Sequence, residues 1–69
     1  MFGEIIKKRR VALKLTQREL AALVGVNRTT VVAWEQERFP PTKKIAALEN
    51  ALDITRGELY FIIHENRIR

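Results

Sequence analysis

The 69-residue sequence contains no cysteine, one histidine, three glycines scattered singly and two prolines. Without cysteine there is neither a disulfide framework nor a thiolate metal site. His64 has no second histidine or carboxylate cluster at metal-ligand spacing, so no metal, cofactor or catalytic constellation is expected. Isolated glycines make no phosphate-cradling loop, and an enzyme is not expected. No apolar run approaches the ~20 residues of a membrane span. The N-terminus lacks the charged-then-apolar pattern of a secretory leader, so the expected location is cytoplasmic.

Acidic residues are also in short supply. Eight Asp and Glu stand against thirteen Lys and Arg, a net charge of +5 that points to a polyanionic partner. A hydrophobic content of 46% belongs to a folded chain, and its length suits one domain, residues 1–69. A core this small supplies no more than about 3–5 kcal/mol, so helix packing or dimerisation must hold it.

The stretch Leu15–Arg38 reads as two short helices joined by a tight turn. Thr16-Gln17-Arg18-Glu19 is a capping box, flanked by Leu15 and Leu20 at the staple positions. Leu20, Ala21 and Val24 form an apolar stripe. Gly25 supplies a left-handed stop, and Asn27 suits the N-cap of a helix running to about Gln36. In that helix Val31, Trp34 and Glu35 share one side, while Asn27, Arg28, Thr29 and Ala33 lie toward the other. A small, polar, exposed helix start on a basic protein suits a DNA major groove.

This stretch resembles the helix-turn-helix of the Cro/repressor-type (XRE) family of DNA-binding regulators. Gln17, Leu20, Ala21, Val24, Gly25, Val31, Trp34 and Glu35 carry the likeness, which extends without gaps from about Phe2 to Phe61. It implies an all-α bundle of five short helices, lambda-repressor-like, with the helix-turn-helix at residues 16–36. It also implies that Asn27, Arg28, Thr29 and Thr30 read bases and that Gln17 anchors a phosphate through its side chain or backbone amide. Two departures stand out. Lys14 and Glu37 occupy places where the family often has glycine, at a cost on the order of 1 kcal/mol if those positions are left-handed.

The flanks follow from periodicity. Phe2, Ile6 and Leu13, widened by Ile5 and Ala12, mark the inner side of a first helix over residues 2–14. Arg10 falls on that stripe, and Glu35 falls on the inner side of the third helix. A charge there needs a partner, so the two are expected to pair across the core, as the resemblance also implies. Phe39 is expected to plug the core, with Pro40 and Pro41 as a stiff connector. A fourth helix starts near Thr42 as N-cap and runs to Leu52, with Ile45, Leu48, Ala51 and Leu52 inward. Thr55-Arg56-Gly57-Glu58 reads as a second capping box opening the C-terminal element, residues 55–69. There Leu59–Ile63 is apolar throughout, more than one stripe needs. Tyr60, Phe61, Ile62 and Ile63 are therefore expected to face a second copy of the chain, as helix or as strand.

For DNA readout, Arg28 can fork onto guanine O6 and N7, Asn27 or Gln17 can bond an adenine edge or a phosphate, and Thr29 and Ala33 can meet a thymine methyl. Candidate phosphate contacts are Thr16, Gln17, Arg10, Arg38, Lys43 and Lys44, with Arg9 an alternative to Arg10 in the basic run 7–10. The expected partners are double-stranded DNA and a second copy of the chain, and the expected function is transcriptional regulation as a dimeric repressor. The rival readings are a DNA-binding antitoxin with a small toxin partner, a restriction–modification controller protein, and a protein-docking module on the same scaffold.

Overall fold

Thr16 caps its helix reciprocally: the hydroxyl accepts the Glu19 amide at 3.0 Å, and the Glu19 carboxylate accepts the Thr16 amide at 2.8 Å. In this computed structural model, which describes residues 1–68, the elements are α1 (Phe2–Ala12), α2 (Gln17–Val24), α3 (Arg28–Glu35), α4 (Thr42–Ala51) and α5 (Glu58–Arg67). The fold is all-α, with no strand among the described residues. α3 packs between α1 and α2, α4 lies on the other side of α2, and α5 closes against α4 and α1. The apolar stripes meet in one core, which includes Phe2, Ile6, Leu20, Val31, Trp34, Leu48 and Leu59.

Close approach of α1 to α3 needs Gly3. A Cβ there would lie 2.7 Å from the Glu35 carbonyl oxygen and 2.9 Å from that of Trp34. Glycine costs helix propensity at this position but lets the two backbones meet.

The first four helices end alike. Beyond each, one residue turns left-handed: Lys14 (φ 59°), Gly25 (φ 80°), Glu37 (φ 69°) and Asp53 (φ 55°). The next residue's N–H reaches back to a carbonyl five positions earlier, as in Leu15 to Arg10 at 3.0 Å, Arg38 to Ala33 at 3.0 Å and Ile54 to Glu49 at 2.9 Å. Gly25 takes this geometry without strain, but the other three carry a Cβ into it.

Several expectations need correction. Leu13 and Ala12 are exposed, because α1 ends at Ala12 and the left-handed turn at Lys14 redirects the chain. Thr42 is the first helical residue of α4; Pro41 is the N-cap, and no side chain caps there. Phe39 does not enter the core. Fully buried Pro40 lies inside, while exposed Phe39 stacks on Phe2 with ring centroids 5.2 Å apart. Arg67 Cζ sits over the Phe39 ring, 4.8 Å from its centroid.

The second capping box does not form. Gly57 is left-handed (φ 89°), so α5 starts only at Glu58, without a cap from its own N-cap residue. Glu49 caps it instead: its carboxylate, on a residue only 3% exposed, accepts the Tyr60 N–H at 3.0 Å. Position 49 falls with Ile45, Leu48 and Leu52 at helical spacing, the same signal that marks Arg10 and Glu35. The C-terminal element is helical through Arg67, and Ile63, one turn after Leu59, is buried in the chain's own core. It is therefore not available to a second copy.

Lys14 is exposed and strained, so Lys14→Gly is expected to raise stability by about 1 kcal/mol, read as a higher midpoint in thermal unfolding.

Candidate nucleic-acid interface

The left-handed turn at Gly25 sets α3 across α2, and Asn27 enters α3 in an extended conformation (φ −80°, ψ 154°). The Asn27 side chain makes no cap bond, so its amide stays outward at the helix start. Arg28 and Thr29 are exposed beside it; Thr30, Val32 and Ala33 are half-buried. Val31 and Trp34 hold the opposite side of α3 in the core. The polar end of α3 thus carries unpaired backbone N–H groups and the positive pole of the helix dipole, both favourable to a polyanion.

Behind this surface lies a buried ion pair. Arg10 Nε is 2.6 Å from Glu35 Oε2, and Arg10 Nη2 donates to Oε1 at 3.3 Å. Their side chains are 11% and 6% exposed. Arg10 Nη1 donates to the Leu15 carbonyl at 2.9 Å, so the guanidinium is committed on three sides within the protein. Arg10 is therefore not a phosphate contact: its charge is consumed by Glu35 because both residues lie on inner helix faces.

Arg9 is likewise committed. Its Nε and Nη2 donate to the carbonyls of Leu52 (3.1 Å) and Asp53 (3.2 Å), which closes the end of α4. Gln17, the first residue of α2, donates its Nε2 inward to Glu35 Oε1 at 3.1 Å and accepts from Arg28 Nη1 at 3.4 Å. One N–H of the Gln17 amide is thus spent on Glu35, and its backbone N–H lies at the open start of α2.

Thr16 is exposed, and its hydroxyl, though accepting from Glu19, still has a proton to give. Arg38 and Lys43 are exposed. Lys44 is half-buried, with Nζ over the turn, 3.9 Å from where a Cβ on Gly25 would stand.

The model of a helix-turn-helix family matches residues 6–59 of this chain. This chain belongs to that helix-turn-helix family. It is 40% identical over 63 residues to an uncharacterized HTH-type transcriptional regulator of Methanothermobacter thermautotrophicus (strain Delta H), covering 90% of this chain and 91% of that one. Among solved structures it resembles the P22 c2 repressor protein in complex with a synthetic operator, crystallised in the presence of Tl⁺. That match has a TM-score of 0.79 at 35% identity and covers 86% of this chain and 91% of the other. The helix-turn-helix itself is α2, the turn through Gly25 and Val26, and α3.

Removing Glu35 strands a buried guanidinium. Glu35→Ala is expected to cost about 3–5 kcal/mol, comparable to what a core of this size supplies in total, so urea titration should find the variant largely unfolded. A midpoint within experimental error of the parent's would refute the pair's importance.

Proposed function

We propose that this chain binds double-stranded DNA sequence-specifically as a transcriptional regulator, acting as a repressor in the form of a symmetric dimer in the cytoplasm. The observation that carries the reading is the solvent-open start of α3. There Asn27, Arg28 and Thr29 stand clear of the core, and the Asn27 amide is not used as a cap. Support comes from the net charge of +5, from the transcriptional regulator related over most of its length, and from the similar repressor crystallised on an operator.

In this reading α3 enters the major groove. Arg28 forks onto a guanine, Asn27 meets an adenine edge, and Thr29, Thr30 and Ala33 touch neighbouring bases. Thr16, the Gln17 backbone amide, Arg38, Lys43 and Lys44 approach phosphates on either side. Arg28→Ala should cost about 1–3 kcal/mol and relax preference at one base pair. Lys43→Ala should weaken all sequences alike and lower the slope of log K against log salt by about one. Selection of bound sequences from random duplexes, followed by titration of both variants, checks this. Recovery of no enriched sequence by the parent protein would overturn the reading.

The dimer rests on α5, where Tyr60 and Phe61 are 44% and 65% exposed next to half-buried Ile62. A two-fold dimer would read half-sites about 34 Å apart. Phe61→Asp is expected to lower the sedimentation coefficient to that of a monomer and to weaken binding to a palindromic site. A parent protein already monomeric at tens of micromolar would rule the dimer out.

A further inference from the structure

We propose that the groove between α1 and α5 is a binding site for a free branched-chain amino acid, with Arg9 as the residue that takes its carboxylate. The groove has a volume of about 340 Å³ and opens where α1, the link after α4 and the first turns of α5 meet. That size lies within the range of small-ligand sites. Ile5, Ile54 and Ile62 are half-buried along it, and buried Leu59 lines it too. These branched aliphatic side chains make an apolar floor that the chain's own packing leaves partly in water. None of the groove's residues belongs to the surface around α3, so this inference stands apart from the DNA-binding reading.

Charged residues line the same groove. The Arg9 guanidinium is pinned along one edge, where Nε and Nη2 donate to the carbonyls of Leu52 (3.1 Å) and Asp53 (3.2 Å). Nη1 and the second hydrogen of Nη2 make up the other edge, and no hydrogen bond among the described residues uses it. Asp53 Oδ2 stands 4.0 Å from Nη2 on a side chain that is 89% exposed, too far and too wet to satisfy that edge. A guanidinium edge of this kind matches a carboxylate with two parallel N–H···O bonds. Arg9 loses little freedom in making them, because it is already held. Asp53 and exposed Glu58 also line the groove, and a ligand with a carboxylate alone would meet their repulsion. An ammonium group beside the carboxylate turns them into partners. A branched aliphatic chain then covers Ile5, Ile54 and Ile62, and its burial supplies the apolar share of the binding. Carboxylate, ammonium and branched aliphatic chain on one small molecule define the ligand class.

The test is an NMR titration of the full chain with L-leucine, glycine, isocaproate and isoamylamine. Leucine is expected to give saturable shifts confined to the Ile5–Arg9 turn of α1 and to residues 53–62, with affinity in the millimolar range. Glycine, which lacks the side chain, and isoamylamine, which lacks the carboxylate, should each bind at least roughly tenfold more weakly. Glu58→Lys, at an exposed position, reverses the charge beside the floor. It should weaken leucine binding and tighten isocaproate binding. No saturable shift with leucine, shifts scattered over the whole surface, or equal affinity for glycine would overturn the proposal. So would a Glu58→Lys variant that leaves the affinity for both ligands unchanged. Shifts of the same residues on raising the protein concentration without ligand would give the groove to a second copy and overturn it as well. A parent chain that binds no duplex would refute the DNA-binding reading and leave this result standing.

Discussion

The ion pair between Arg10 and Glu35 is the constraint on which the rest of the structure depends. It joins the last turn of α1 to the last residue of α3, and through Arg10 it also fastens the Leu15 carbonyl in the link before α2. Two charges taken this far out of water are tolerated only together, because their attraction and the added hydrogen bonds must offset desolvation. Apolar side chains could fill the same volume, but they would not fix the angle at which α3 leaves the core. The pair is directional where burial is not.

Around it, the chain packs its helices into few residues by stopping each abruptly. Left-handed residues after α1, α2, α3 and α4 satisfy terminal carbonyls and turn the backbone within two or three positions. Lys14, Glu37 and Asp53 accept strain that glycine would have avoided. Glu37 also lies 3.3 Å from the Met1 amino group, a solvent-exposed contact of little energetic weight. Economy at the termini leaves the helix-turn-helix short, with eight residues in each of α2 and α3. Its outer end presents Asn27, Arg28 and Thr29, and its inner end is held by Val31, Trp34 and Glu35.

α5 is held by groups distant in sequence. Glu49 from α4 caps its start, Leu59 and Ile63 fill the core from one side, and near its end Arg67 lies over Phe39, which rests on Phe2. The exposed aromatic side chains of the Leu59–Ile63 run are Tyr60 and Phe61. Of five consecutive apolar residues, two turn inward, as a helix at this spacing requires, and the excess at the surface is smaller than the run suggests.

Periodicity and capping chemistry, both local properties, determined the first four helices, the Gly25 turn, the Thr16 box and the inner and outer sides of α3. Arg10 and Glu35 were legible as partners because each is a lone charge on an apolar stripe. Only tertiary structure decided what competes for a given polar group. Glu49 rather than Thr55 caps the start of α5, Arg9 went to the end of α4, Gln17 turned its donor inward to Glu35, and Pro40 rather than Phe39 entered the core. Those outcomes depend on which carbonyl, carboxylate or ring lies across a gap of many residues, a distance that no spacing along the chain encodes.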